Sequence, residues 1–319
     1  MRKLGLSVAL AAPALVLFCA APAYAHPDAP HSDAGAEPWL ALLLIVAAVL
    51  YALGLHHLQD AGGARRASVS RSAVSFWLGW TALAAALVWP LPEATEGLFS
   101  AHMMQHELLM VIGAPLMVLA RPLAIWTWAL PAHWRKSVAR PFHGAGFQHG
   151  WQWVSAPAAA SVLHALAIWL WHVPKFFELA EESLAVHALQ HTAFLGSALL
   201  FWWAVLRPTR SGNGAALACL FVTMLHTSAL GVLLTFSSDV WYPGSTAGAY
   251  RWGLTPLEDQ QLGGLVMWVP GGIPYVIAAL LCAAQWLTAG SRSGRSDVHS
   301  GTGIAPSEAF DTAPGKAVP

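Results

Sequence analysis

The sequence predicts an all-α fold: a polytopic membrane helical bundle with seven transmembrane helices after a cleaved signal peptide. Three observations predict it. The 319 residues are 56% hydrophobic and only 10% charged, where a soluble domain carries about 25% charged residues. Several apolar runs reach the ~17–25 residues that cross a hydrocarbon core. Lys and Arg gather in alternate connections between those runs, as the positive-inside rule requires of a chain that crosses repeatedly. The formal net charge is zero, so bulk charge points to a lipid bilayer and to no nucleic-acid partner. The three Cys (Cys19, Cys219, Cys282) lack CxxC spacing and lie in apolar runs, so neither a disulfide framework nor a thiolate metal cage is indicated.

Residues 1–25 read as a signal peptide. Arg2 and Lys3 form the basic start, Leu4 to Ala21 the apolar run, and Ala23-Tyr24-Ala25 an A-x-A cleavage site. The alternative is an uncleaved first span. Residues 26–38 are rich in Pro, Asp and Ala and are expected to form a disordered periplasmic tail. A transmembrane domain follows over 39–290, with spans at Trp39–Leu55, Phe76–Trp89, Leu98–Ala120, Ser155–His172, His187–Leu206, Ala215–Phe236 and Leu262–Leu287. The second is short and is free to extend backwards through Ala73. Between the third and fourth, Leu123 to Trp153 holds five Trp (126, 128, 134, 151 and 153), which suits an interfacial segment with aromatic anchors. Residues 291–319 are expected to be a disordered cytoplasmic tail.

Charge sets the expected direction. A cleaved signal leaves the mature N-terminus outside. The loops at 56–75, 121–154 and 207–214 and the tail from 288 are then cytoplasmic. They hold nearly all the basic residues between and after the spans, against Lys175 and Arg251 on the other side.

This direction gathers the histidines. His102 and His106 lie in the outer third of the third span, His187 and His191 begin the fifth, and His172 ends the fourth. An H-x-x-x-H pair puts two imidazoles on one helix face, ~5–6 Å apart. Two pairs on antiparallel helices, with a fifth histidine nearby, offer three or four nitrogens to one metal. Neutral imidazole suits Cu, Zn and Fe, and Met thioether selects Cu(I). Met103 and Met267 are expected at similar depth to assist. Glu107 is the acid beside the cluster, free to bond a ligand imidazole, carry a proton or stay neutral. His164 and His226, closer to mid-membrane, are expected to pair helices by hydrogen bonds. In the last span, Gly263 and Gly264 permit close helix approach. Pro270 and Pro274 are expected to kink it and Pro115 the third span. Asp259 stands at the mouth.

Taken together, these stretches resemble the CtaG family of cytochrome c oxidase assembly factors, the group associated with caa3-type oxidases. The resemblance lies in His102-Met103-Met104-Gln105-His106 with Pro115, Trp171-His172-Val173-Pro174, His187-Ala188-Leu189-Gln190-His191, Phe201-Trp202-Trp203, and the long motif from Asp259 to Gly272. It covers about residues 75–290. The resemblance implies a multi-pass protein of the bacterial inner membrane, not an enzyme, that is needed to make active oxidase and takes part in copper handling. Its expected partners are cytochrome c oxidase subunits and periplasmic copper chaperones. The first 38 residues lie outside the resemblance, and the Tyr242–Glu258 loop, with its Tyr250-Arg251-Trp252, is longer than the family pattern. Read without the resemblance, the same histidines also suit a membrane di-iron or haem-binding oxidoreductase, or a metal-free scaffold.

Overall fold

A computed structural model of the protein describes residues 38–60, 66–95, 97–207 and 212–300. The expected signal peptide, all but the last residue of the expected N-terminal tail, and residues 301–319 lie outside the described residues. Every regular element among the described residues is helical. We label the α-helices α1 (Pro38–Asp60), α2 (Arg66–Leu87), α3 (Leu91–Thr95), α4 (Phe99–Glu107), α5 (Ala114–Ala120), α6 (Pro122–Ala129), α7 (Ala132–Ala139), α8 (Ala145–Val154), α9 (Pro157–Trp171), α10 (Pro174–Glu182), α11 (Leu184–Leu206), α12 (Gly212–Thr235) and α13 (Pro256–Ser300). A π-helical turn, Leu108–Gly113, joins α4 to α5.

Among the described residues, six stretches are long and apolar enough to cross a membrane: Trp39–Gln59, Val69–Thr95, Phe99–Ala120, Leu184–Leu206, Gly214–Thr235 and Pro256–Thr288. A seventh crossing exists if α8 and α9, which meet at a 66° bend, count as one. Several boundaries differ from the sequence expectation. The second crossing does extend backwards, through Ala73 to Val69. The fourth, expected over Ser155–His172, is a 15-residue helix. That is about 22 Å of rise, shorter than the ~30 Å core. The cause is Pro157, whose ring drives the preceding residue out of the α region; Ala156 is extended, with φ −64° and ψ 136°. The last helix continues to Ser300, past the expected domain end at 290.

Prolines inside the crossings are absorbed in two ways. Pro115 has no N–H, and its ring would clash with the carbonyl one turn back. The π-helical turn before it widens the ladder at that point. The freed Met110 carbonyl accepts the Trp202 indole N–H at 2.8 Å, which ties this turn to α11. In α13 the helix stays continuous through Pro270 and Pro274.

Much of the apolar surface points outward. Leu42, Ile45, Val49 and Leu53 on α1 are half exposed, as are Leu280, Leu281 and Leu287 on α13; such a surface suits lipid rather than water. The core is aromatic and small-residue rich. Tyr51 of α1 stacks on Phe76 of α2 at 3.6 Å. The Trp126 indole of α6 donates to Ala47 at 3.0 Å, so the tryptophan-rich connection packs against the first crossing as well as lying near its end. α12 and α13 make the most extensive helix pair. A Cβ on Gly264 would stand 2.6 Å from the Gly231 carbonyl oxygen and 2.6 Å from the Thr235 nitrogen, so only glycine allows this approach.

One end of the bundle is stitched by polar side chains. Glu258 accepts from the Thr255 N–H at 2.8 Å while Thr255 Oγ1 accepts the Glu258 N–H at 3.3 Å, a capping box that starts α13. Gln260 accepts from the Trp241 N–H at 2.6 Å and donates to Asp239, and Gln261 donates to Ser237. These bonds hold the 237–241 loop against α13. Five histidines lie at this same end.

Candidate metal centre

The centre begins with how α4 is anchored. Its N-cap, Leu98, has no side chain able to satisfy the first N–H groups. Asp259 of α13 does so from across the bundle. Its carboxylate accepts the Phe99 N–H at 2.7 Å, the Ser100 N–H at 3.1 Å and the Ser100 hydroxyl at 2.5 Å. The negative charge also suits the positive end of the helix dipole. Asp259, expected at a mouth, thus sets the position of the helix that carries His102 and His106.

From that anchor, His102 and His106 face inward, one turn apart, with ring centroids 4.5 Å apart. On α11, His187 and His191 repeat the arrangement at 4.3 Å. The two pairs meet rung against rung: His102 lies 5.4 Å from His187, and His106 lies 5.4 Å from His191. His172, just past α9, stands 6.4 Å from His106. All five expected histidines therefore come together.

The nitrogens of His102, His106 and His191 converge most tightly, with one potential ligand atom of each within 4.8 Å of the others. Their hydrogen bonding is incomplete. His102 Nε2, both nitrogens of His106 and His172 Nε2 are buried without a partner, whereas buried polar atoms in folded proteins are nearly always paired. His172 is already oriented: its Nδ1 lies 2.7 Å from the Ile168 carbonyl. Donation there leaves the Nε2 lone pair free, the arrangement usual for a ligating imidazole. His187 Nε2 and His191 Nε2 are 3.1 Å apart, so one carries the proton and donates it to the lone pair of the other. This donor set fits a metal that prefers imidazole nitrogen.

Aromatic rings wall the cluster. Phe177 of α10 lies 5.0 Å from His102, and Phe194 of α11 lies 4.6 Å from His106. Tyr242 stacks on Phe99 at 4.7 Å and donates its hydroxyl to the His172 carbonyl at 2.6 Å. Of the five histidines only His187 and His191 keep partial exposure, so the way in passes along α11. Phe177, Phe194 and Tyr242 carry no signal in the sequence that separates them from other aromatic residues. Their role depends on which rings the fold brings beside the imidazoles.

The remaining expected residues fall elsewhere. Met103 is fully buried beside α13, with its Cγ 3.2 Å from a Cβ built on Gly263. Glu107 makes no hydrogen bond to an imidazole; its Oε2 is buried and unpartnered. It lies against Gly271, where a Cβ would stand 2.5 Å from that oxygen. Met267 shares a small cavity with Glu107. His164 and His226 pair helices as expected: His164 Nδ1 lies 2.9 Å from Ser197 Oγ, and His226 Nδ1 accepts from the Trp169 indole at 3.3 Å.

Comparison with known proteins finds relatives and a family. An uncharacterised protein of Mycobacterium bovis and one of Mycobacterium tuberculosis are each 24% identical over 281 residues. The alignments cover 83% of this chain and 41% of each relative. The chain therefore spans about two fifths of the length of the curated relatives it matches. No solved structure matches it significantly. The family model for the cytochrome c oxidase caa3 assembly factor matches residues 49–289, a stretch that holds all five clustered histidines, Asp259 and the glycines of the α12–α13 contact. With three quarters of its length matched, and with the residues that build the centre inside that match, the chain belongs to the cytochrome c oxidase caa3 assembly factor family.

Proposed function

We propose that the protein holds copper at this histidine centre and passes it to a subunit of cytochrome c oxidase during assembly. The observation that carries the reading is the convergence of three imidazole nitrogens within 4.8 Å, with His102 Nε2 and both nitrogens of His106 buried and unclaimed by any hydrogen bond. His102, His106 and His191 form the core of the site, with His187 and His172 as further or alternate ligands. Copper is cargo here, and an incomplete or exchangeable shell suits release, since a closed four-ligand shell is the mark of a structural site. The Met103 and Met267 thioethers, buried against and on α13, would favour the Cu(I) state in transit. Glu107 tunes the charge below the site, and Asp259 keeps the ligand helix in register.

The distribution of Lys and Arg supports an orientation with the histidine end facing outside the bacterial inner membrane. In that orientation periplasmic copper chaperones reach the exposed edges of His187 and His191. A carrier of this kind needs no catalytic residue. The rival di-iron reading has weaker support, because such sites rely on carboxylate ligands and Glu107 does not face the imidazoles.

Metal analysis of the detergent-purified, copper-loaded protein tests the proposal. About one tightly held copper per chain is expected. The variant with His102, His106, His187 and His191 all changed to Ala should hold none at this affinity. Equal copper in the two preparations would end the reading.

A further inference from the structure

One helical turn below the histidines lies a cavity whose lining contains none of the five histidines. Met110 follows His106 by four residues, and Ile168 precedes His172 by four, so both sit directly under the cluster. They meet Glu107, Thr227, Met267 and Tyr275 around about 10 Å³ of free volume, room for one water-sized occupant. Glu107 borders this space, and its buried Oε2 has no hydrogen-bond partner. Gly271 makes room for the carboxylate, since a Cβ there would stand 2.5 Å from Oε2. Met110 and Met267 are 3% and 4% exposed, so both thioethers belong to the interior.

We propose that this cavity is a second cation position, one that takes a single monovalent soft ion of the Cu(I) class. Two features select that ion. A carboxylate inside a membrane bundle is costly unless its charge is compensated. One monovalent cation makes the site neutral, whereas a divalent ion leaves a net positive charge in a low-dielectric interior. Two thioethers beside the carboxylate favour Cu(I) over Na⁺ or K⁺, which prefer oxygen alone. Thr227 and Tyr275 are the other polar residues of the lining. No electron moves in this binding step: the sulfur and oxygen lone pairs coordinate, and nothing is oxidised or reduced. The inner position stands on Glu107, Met110 and Met267 and does not require the histidines to hold metal. If both positions are occupied, the bundle holds two ions about one helical turn apart.

The test uses the full chain in detergent with methionine labelled at its methyl carbon. Ag(I) serves as the redox-inert probe of a Cu(I) site. Met110→Leu and Met267→Leu assign the two methyl resonances with little change of volume. Sub-stoichiometric to equimolar Ag(I) should shift both resonances in the unaltered protein and in the four-histidine alanine variant. Glu107→Gln should weaken those shifts by on the order of tenfold or more, because it removes the counter-charge from a low-dielectric site. Gly271→Ala should weaken them too, by pushing the carboxylate aside without removing any ligand atom from the protein. Unmoved Met110 and Met267 resonances at saturating Ag(I) in the unaltered protein would overturn the proposal, and this arm needs no variant to fold. Shifts that are lost in the folded four-histidine variant would also overturn it as a separate site. Shifts that persist there, with total bound metal unchanged by the four substitutions, would support the cavity and defeat the histidine reading alone.

Discussion

The carboxylate of Asp259, on the last helix, accepts the backbone N–H of Phe99 at 2.7 Å and so anchors the helix that carries His102 and His106. This is a helix cap supplied across 160 residues of sequence. Its loss leaves two N–H groups and the Ser100 hydroxyl without their acceptor. Asp259→Ala should lower stability by about 0.5–2 kcal/mol, the usual cost of removing a cap. Asp259→Asn should cost less, since it keeps an acceptor oxygen. Thermal melts in detergent check the order. Copper affinity should fall in the same order if α4 is the ligand helix.

The histidines should not be equivalent. Both nitrogens of His106 lack partners and its ring touches His102, His172 and His191, so it is the hub. His106→Ala should abolish tight copper binding. His172 stands farther off, at 6.4 Å from His106. His172→Ala should weaken affinity by about 10–100-fold while stoichiometry holds. A competition titration against a Cu(I) chelator of known affinity distinguishes these outcomes. Stripping copper from the unaltered protein should lower its melting temperature, since a ligand that binds only the folded state stabilises it.

Gly264 and Gly231 let α12 and α13 touch through their backbones. Gly264→Ala places a methyl 2.6 Å from both the Gly231 oxygen and the Thr235 nitrogen. Neither is the end of a flexible side chain, so the helices must part. A loss of about 1–3 kcal/mol is expected from overpacking. Gly272, whose added Cβ meets nothing within 4 Å, is the control. Gly272→Ala should be neutral or mildly stabilising in the same thermal assay.

At the opposite end, Arg207 closes the bundle. Pro122 has no N–H to offer the Val118 carbonyl, and Arg207 Nη2 donates to that oxygen instead at 3.4 Å. Its guanidinium also lies 4.4 Å over the Trp203 ring. Partial burial and the nearby Arg121 push the guanidinium down to about 10, so it stays charged at neutral pH. Arg207→Gln should cost about 1 kcal/mol through the lost cation–π contact and weakened hydrogen bond. Arg207→Lys should recover only part of that. The two variants compared by thermal melting decide the point.

The crossings were legible in the sequence because membrane insertion is a local demand. A run such as Ala215–Phe236 satisfies its own backbone hydrogen bonds and needs only apolar length, so its ends fall within one residue of the observed crossing, Gly214–Thr235. The fourth crossing was less legible: hydropathy reads through Ser155 and Ala156, but Pro157 bends the chain there. The i,i+4 spacing of His102 with His106, and of His187 with His191, likewise guaranteed two imidazoles per helix face. Which way those faces turn was not written locally. It follows from contacts between residues far apart in sequence: Asp259 on Phe99, Trp202 on Met110, Gly264 on Gly231. These contacts rotate α4 so that His102 and His106 meet His191. They also turn Glu107, one residue further on, away from the imidazoles and towards Met267 and Gly271. The sequence by itself determined that there are apolar helices with histidines at one end. The tertiary structure alone decided which nitrogens converge and where the carboxylate goes, because a helix in lipid is free to rotate about its axis until its neighbours pack against it.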